Sequence, residues 1–277
     1  MTSTQDQIIT RIGGNRTLIR DELREMRTFR EVLYFLVWRD IKVRYRQAKL
    51  GAFWVILQPL ILVAVYTVVF SSFVKIPSAR YPYSVFVLVG LLPWTLFSNA
   101  VQDAGSSLYL NSSLIGKVYF PRVFIPISRM IAIMLDYAVT AVLLFILVLI
   151  VRVRLTAWLL LLPILTIITF LFTVGVGIGL AALTARYWDV RYVTPFIFQI
   201  WLFCTPVIYP LTSLPERYRW IIRLNPLTGL VEAFRTAFLG DAPDFVQLAY
   251  CAVWSLAAIA IGTAYFNRTD AELVEVM

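Results

Sequence analysis

Residues 124–151, FIPISRMIAIMLDYAVTAVLLFILVLIV, decide the fold class. These 28 residues contain only two charged side chains, Arg129 and Asp136. About 20 predominantly apolar residues are enough for a helix to cross the ~30 Å hydrocarbon core of a bilayer. The stretch therefore predicts a transmembrane helix and an integral membrane protein.

The rest of the chain has the same character. Of its 277 residues, 60% are hydrophobic and 15% are charged, against about 45–50% and about 25% in soluble domains. Five further apolar stretches approach or meet the spanning length: 53–74, 83–101, 155–183, 193–209 and 245–266. We therefore expect an all-α integral membrane fold with six transmembrane helices in one domain, 53–266. Since the first apolar run begins at Phe53, we expect no cleavable signal peptide.

The first 52 residues divide into two parts. Residues 1–27 have no apolar periodicity and are interpreted as a cytoplasmic tail. Over residues 28–52, a helix would have an apolar face on one side and a basic face on the other. The basic face contains Arg39, Lys42, Arg46 and Lys49. This pattern predicts an amphipathic helix at the membrane interface; packing against a protein partner is the alternative.

Residues 211–240, between the fifth and sixth apolar stretches, are too polar to cross a membrane. Short apolar runs stand on both sides of Asn225-Pro226. The pattern favours a re-entrant helical hairpin broken at this dipeptide, whose non-helical backbone must lie against protein or water. Glu232 and Arg235 are three residues apart and can pair on one helical face. A surface loop with one helix is the alternative.

The charge distribution predicts the orientation. With the N-terminus inside, sixteen Lys and Arg residues lie on the cytoplasmic side and eight on the other side. The positive-inside rule therefore places both termini in the cytoplasm, including the tail 267–277. The net charge of +9 stands largely beside apolar stretches, so we expect contacts with anionic lipid headgroups and no nucleic acid partner.

The sequence has no pattern typical of an enzyme. It contains no His and no phosphate-binding Gly-x4-Gly-Lys-Ser/Thr loop. We expect no catalytic residues, no metal site and no cofactor bound by this chain. Asp136 is the one acid well inside an apolar stretch, where it would cost ~2.5–3.5 kcal/mol unless it faces protein or water. Its two interpretations are proton-coupled transport and a structural contact, either a hydrogen bond or an ion pair with Arg129, two helical turns earlier.

Four separated stretches carry a family resemblance. They are 38–47 (WRDIKVRYRQ), 114–122 (LIGKVYFPR), 185–191 (ARYWDVR) continuing to 206–210 (PVIYP), and 224–229 (LNPLTG). In this order and spacing, the chain resembles the membrane (permease) subunit of type-2 ABC exporters of polysaccharides, the O-antigen, teichoic acid and galactan export group. The resemblance covers roughly residues 30–240.

The resemblance implies partners and a location. The chain would form half of a homodimeric channel in the bacterial inner membrane, with two copies of a nucleotide-binding ATPase subunit that use ATP and Mg. The cargo would be a polysaccharide linked to polyprenyl diphosphate. The loop 111–122 would couple the chain to the ATPase through Leu114, Ile115, Lys117, Val118 and Tyr119; an ordinary cytoplasmic connection is the alternative.

The resemblance also suggests substrate contacts. Arg39, Lys42, Arg44 and Arg46 would meet the lipid diphosphate, or else anchor the helix to anionic lipid. The aromatics that would line the glycan channel, unless they serve packing, are Trp54, Tyr66, Phe70, Phe198, Trp201 and Tyr209. The outer gate would include Asn225, Pro226, Glu232 and Arg235.

Other functions compete with polysaccharide export. The same architecture could export a small lipid or a drug. A membrane-embedded polyprenyl-phosphate sugar transferase would need acidic metal-binding or general-base residues, which the sequence does not supply. A proton-coupled flippase would depend on Asp136 alone.

Overall fold

The computed structural model describes residues 29–46, 51–73, 82–115, 120–153, 156–240 and 242–276, and the regular structure in these ranges is entirely helical. The α-helices are α1 (Arg30–Arg46), α2 (Gly51–Tyr66), α3 (Tyr83–Leu110), α4 (Ser112–Ile115), α5 (Phe124–Ile150), α6 (Leu162–Arg186), α7 (Val190–Cys204), α8 (Glu216–Arg223), α9 (Pro226–Leu239) and α10 (Phe245–Val276). A π-helical segment, Thr67–Phe73, continues α2, and 3-10 segments at Ala157–Leu161 and Leu211–Ser213 precede α6 and follow α7. The all-α prediction is confirmed.

Five helical stretches in the described ranges are long and apolar enough to cross a membrane. They are Phe53–Phe70, Tyr83–Leu110, Phe124–Ile150, Ala157–Arg186 and Phe245–Thr269. The predicted fifth span corresponds to the shorter α7, whose 15 residues measure about 22 Å at 1.5 Å per residue. The hydrocarbon core is about 30 Å thick.

Helix α7 is displaced toward the N-terminus relative to the predicted span 193–209. It ends at Cys204 because Pro206 has no N–H group to donate and disfavours helical backbone at the residue before it. Thr205 is accordingly extended, with φ −109° and ψ 132°.

Two other helices run past their predicted ends. Helix α3 continues beyond Val101 to Leu110 because Ala104, Ser107 and Leu108 continue its buried face, and the polar side chains of these turns find partners within the helix. Gln102 donates to the Ser98 carbonyl at 3.0 Å, and Ser107 donates to the Ala104 carbonyl at 2.6 Å. Helix α10 likewise includes residues 267–276 of the predicted tail.

Helix α3 is at the centre of the bundle and packs against α2, α5, α6, α7 and α9. In the most apolar 18-residue stretch of α3, 83% is buried inside the chain. In the corresponding stretch that begins in α2, only 6% is buried. The outer surface of α2 is therefore free to contact lipid or another chain.

Helices α6 and α10 cross closely through small residues. A Cβ atom added to Gly262 would lie 2.1 Å from the Gly175 carbonyl oxygen, and one added to Gly175 would lie 2.3 Å from the Ala258 carbonyl carbon. Small residues at such crossings allow the backbones of membrane helices to approach. Neither glycine can accept a side chain without separating the two helices.

The apolar face predicted for α1 packs against the bundle of the same chain. Leu36 is buried, and Phe29, Val32 and Leu33 contact the cluster that includes Phe124. Tyr34, Phe35 and Trp38 are exposed. The apolar face of α1 is therefore covered by the chain's own bundle, a third arrangement beside the predicted membrane interface and the alternative of a protein partner.

The segment after α7 forms two helices, α8 and α9, separated at Asn225. The Asn225 carboxamide caps α9 by accepting from the Leu227 N–H at 3.1 Å. Its amide nitrogen also donates to the hydroxyl of Thr205, the residue after α7, at 2.9 Å. Pro226 takes the first helical position, where its missing N–H costs nothing. Gly240 ends α9 with φ 90°, a left-handed conformation that favours glycine.

Candidate functional site

A chain of charged side chains connects α1 with α3 and α5. Arg39 donates to Asp40 at 2.8 Å, and Asp40 also accepts from the Ser128 hydroxyl at 2.7 Å. Arg129 lies 3.8 Å from Asp40 and 3.5 Å from Asp103. We call Arg39, Asp40, Arg129, Asp103, Arg44 and Asp136 the charge chain. Its three arginines balance its three carboxylates.

Arg44 joins the two acids of α3 and α5. Its Nη2 group lies 2.5 Å from Asp103, and its Nη1 group lies 2.8 Å from Asp136. Sequence spacing favoured Arg129 as the partner of Asp136, whereas the structure places Arg129 at Asp40 and Asp103. Asp136 thus forms the ion pair that was one of its two interpretations, with Arg44 in place of Arg129.

Tyr45 completes the surroundings of Asp136. Its hydroxyl donates to Oδ1 of Asp136, and Arg44 donates to Oδ2. Burial raises the pKa of Tyr45 well above its ordinary value, and the hydrogen bond to Asp136 acts in the same direction. The phenol therefore remains a donor at neutral pH. Because two donors hold its carboxylate, Asp136 is better suited to a structural role than to proton transfer.

A cavity of about 210 Å³ opens beside the charge chain, between α1, α2, α3 and α5. Arg44, Tyr45 and Asp136 form part of its wall. The other polar residues that line it are Gln58, Thr95, Asn99, Tyr137 and Thr140. Polar side chains inside membrane proteins are costly and commonly mark functional sites. This cavity is the candidate site.

The other three residues that were predicted to meet the lipid diphosphate differ in their surroundings. Arg39 is held by Asp40, whereas Lys42 is exposed, with its Nζ 5.2 Å from the ring centroid of Trp38. Arg46 is the last residue of α1, and its side chain lies outside the described residues. A lipid diphosphate would have to compete with carboxylates for Arg39 and Arg44, but Lys42 faces outward.

Four of the predicted channel aromatics pack inside the subunit. Phe198 is buried, and its ring centroid lies 5.5 Å from that of Phe97 and 5.8 Å from that of Trp201. Trp201, Tyr66 and Phe70 pack partly buried against the same core. Packing inside the chain, the alternative to lining a channel, therefore accounts for the positions of these four aromatic side chains.

Trp54 and Tyr209 are the remaining predicted channel aromatics. The Tyr209 hydroxyl donates to the Phe203 carbonyl at 2.9 Å, which ties the loop after α7 to the end of that helix. The Trp54 side chain is 53% exposed and lines the cavity. Of the two, Trp54 is the one that borders the candidate site.

The predicted pair on α9 is confirmed. Arg235 lies 2.8 Å from Glu232 and is only 4% exposed. The same guanidinium donates to the Val207 carbonyl at 2.7 Å and stacks 3.8 Å from the ring centroid of Phe86. Arg235 therefore fastens α9 to α3 and to the loop that follows α7.

The predicted coupling residues are described only in part. Helix α4 provides one helical turn after α3, and Leu114 packs partly buried against the bundle. The Ile115 side chain and the whole of Lys117, Val118 and Tyr119 lie outside the described residues.

The part of the chain that contains these features matches a known protein family. A family model described as ABC-2 type transporter matches residues 31–239, which include the charge chain and the cavity. The chain belongs to the ABC-2 type transporter family. It is thus a membrane subunit of an ABC transporter, a multi-pass protein of the inner membrane whose ATPase is a separate subunit.

Relatives of this ABC-2 subunit match it over most of their length. The O-antigen export system permease protein RfbA of Myxococcus xanthus is 29% identical over 246 residues, 86% of this chain and 94% of the relative. A protein of the same name from Klebsiella pneumoniae is 25% identical over 248 residues, 89% and 95% of the two chains. The polysialic acid transport protein KpsM of Escherichia coli is 27% identical over 245 residues, 86% and 93%.

Sequence reasoning missed several residues of the site in this ABC-2 subunit. Asp40 and Asp103 of the charge chain and the cavity amides Gln58 and Asn99 were not predicted. Asp103 was placed in a loop because α3 was expected to end at Val101. Small and apolar residues continue at helical spacing past that point, and this signal could have extended the helix.

Proposed function

We propose that this ABC-2 subunit forms the transmembrane channel of an ATP-driven exporter of polysaccharide. Its cargo is a polyprenyl-diphosphate-linked glycan of the O-antigen type, moved from the cytoplasmic to the outer face of the inner membrane. One observation carries the proposal: relatives named for O-antigen export and for polysialic acid transport align with 86–89% of the chain.

We propose a homodimer with two ATPase subunits that bind and hydrolyse ATP with Mg. The exposed surface of α2 supports this assembly, because almost none of its apolar window is buried within the chain. In the dimer, α2 and α7 border the channel, and Trp54 supplies an exposed aromatic ring there. Residues 111–122 contact the ATPase.

The proposed topology has six crossings and two cytoplasmic termini. Helix α7 is the fifth crossing, completed by the residues that follow Thr205. Helices α8 and α9 form the re-entrant hairpin at the outer gate, where the Glu232–Arg235 pair acts as a latch. The excess of Lys and Arg on the predicted inner side supports this orientation. Lys42, Arg39 and Arg46 then lie at the depth of the anionic headgroups and the lipid diphosphate.

Reconstitution tests the proposal. The chain is co-purified with its ATPase and inserted into vesicles that contain lipid-linked polymer. We expect ATP-dependent transfer of the polymer across the membrane, which stops when a hydrolysis-deficient ATPase replaces the active one. Transport by the chain without the ATPase, or transport of small lipids but of no polymer, contradicts the proposal.

A further inference from the structure

Two amide side chains on the cavity wall have no hydrogen-bond partner among the described residues. Gln58 of α2 and Asn99 of α3 are both exposed there, and neither amide hydrogen-bonds to any residue in the part of the chain that the structure describes. Asn99 stands out because most of the side chains around it on α3 are buried. An exposed amide offers both a donor and an acceptor. Gln58 and Asn99 therefore present hydrogen-bonding groups to a polar molecule in the cavity.

The charges on the wall select a neutral occupant. The cation, Arg44, and the anion, Asp136, lie 2.8 Å apart and satisfy each other. A phosphate group in this space would approach the Asp136 carboxylate, and an ammonium group would approach the Arg44 guanidinium. Each would be repelled at short range, whereas a hydroxyl group can donate to Asp136 or accept from Arg44.

The size and the lining of the cavity favour a compact ring. A volume of about 210 Å³ corresponds to about seven waters at ~30 Å³ each, and it is below the ~300–1,000 Å³ of pockets for drug-sized ligands. Trp54 contributes an exposed aromatic surface to the same wall that carries the hydroxyls of Thr95 and Thr140. A pyranose has this combination of an apolar C–H face and a rim of hydroxyl groups.

We propose that this cavity binds one neutral sugar residue of the transported glycan. The inference rests on the proposed function, because the cargo supplies the sugar. It assigns Gln58, Asn99 and Asp136 to the sugar hydroxyls and Trp54 to the ring face. The charged diphosphate is bound outside this cavity, near the exposed Lys42 on the cytoplasmic side.

Saturation-transfer NMR on the full chain in lipid nanodiscs tests the proposal. The probes are a panel of free neutral hexoses and N-acetylhexosamines, with sugar-free undecaprenyl diphosphate as a separate probe. The variants are Asn99→Leu, which removes an exposed amide without crowding the core, and Trp54→Leu. Trp254→Leu is the matched control, because Trp254 is also an exposed tryptophan of an apolar helix but lies on α10 and does not line this cavity.

We expect at least one neutral sugar to bind the wild type and Trp254→Leu. Its affinity should be about fivefold weaker in Asn99→Leu and in Trp54→Leu, the loss expected for one hydrogen bond or one stacking contact. Binding of undecaprenyl diphosphate should be unchanged in Asn99→Leu.

Three results overturn the proposal. No sugar of the panel binds the wild type; both cavity variants bind sugar as the wild type does; or Asn99→Leu weakens binding of the sugar-free diphosphate as much as binding of the sugar. The exporter proposal is tested by a separate assay. Absent ATP-driven polymer transport in vesicles would reject that proposal without changing the result for sugar binding in nanodiscs. Normal transport together with absent sugar binding rejects the cavity assignment alone.

Discussion

Replacing Arg44 by glutamine tests whether the charge chain holds α1 on the bundle. The guanidinium lies 2.5 Å from Asp103 and 2.8 Å from Asp136. Arg44→Gln keeps a side chain of moderate length but removes the cation between two carboxylates on neighbouring helices. The two acids then repel each other, and the contact between α1 and the other two helices loses both ion pairs.

The magnitude follows from the exposure of the three side chains. Arg44 is 29% exposed, and Asp103 and Asp136 are each 21% exposed. Exposed ion pairs contribute about 0–1 kcal/mol, whereas removal of one partner from a buried pair costs about 3–5 kcal/mol. The partial exposure places Arg44→Gln between these limits, at about 2–3 kcal/mol. With about 2–4 °C per kcal/mol for a chain of this size, the midpoint should fall by roughly 5–10 °C.

Thermal unfolding of the purified chain in detergent measures this loss. Arg217→Gln is the matched control, because Arg217 is an exposed arginine of α8 whose contact is the ring of Tyr218. It should change stability by less than about 0.5 kcal/mol. The double variant Arg44→Gln, Asp136→Asn should recover at least half of the loss, since Arg39 and Arg129 then balance the two remaining carboxylates, Asp40 and Asp103.

Two results would refute this reasoning. If Arg44→Gln is as stable as Arg217→Gln, the carboxylates are solvated and the charge chain contributes nothing to the packing of α1. If the double variant Arg44→Gln, Asp136→Asn is less stable than Arg44→Gln, an unpaired carboxylate is not the cause of the loss.

Three further predictions concern other parts of the chain. Gly262→Val should lower the free energy of unfolding by about 3 kcal/mol, because the added Cβ meets the Gly175 carbonyl at 2.1 Å; a midpoint equal to that of the wild type in thermal unfolding contradicts this. Arg235→Met should cost about 2 kcal/mol in the same assay, because the Val207 carbonyl and the partly exposed Glu232 carboxylate each lose a donor, and a loss below about 0.5 kcal/mol argues against a stabilising role for these bonds. Ile115→Asp together with Tyr119→Asp should preserve ATP hydrolysis by the reconstituted complex while abolishing polymer transport, and unchanged transport removes their coupling role.

Local features of this fold could be predicted from the sequence. The break at Asn225-Pro226 follows from the side-chain capping of asparagine and the fixed φ of proline, both properties of the residues themselves. The Glu232–Arg235 pair follows from three-residue spacing on a helix. The other partners of Arg235 were not predictable, because Val207 and Phe86 reach it only when α9 packs against α3.

Helix ends were predicted less well because hydropathy alone decided them. The prediction ended α3 at Val101, where the apolar run stops, but the helix continues while its polar side chains bond to its own carbonyls. Conversely, the apolar run through α7 extends past Pro206, and the backbone geometry of proline ends the helix first. The end of each helix therefore depends on local backbone and side-chain contacts that the hydropathy of the run does not report.

The partner of Asp136 shows why intramembrane charges resist prediction from spacing. The cost of an unpaired carboxylate in hydrocarbon requires a donor, and the same helix offers Arg129 two turns away. Yet a helical neighbour seven residues away is about 10.5 Å distant along the axis, too far for direct contact without strain. Helix α1 supplies Arg44 and Tyr45 from 92 and 91 residues away. Thus the need for a partner follows from the sequence, whereas the identity of that partner depends on how α1 packs beside α3 and α5.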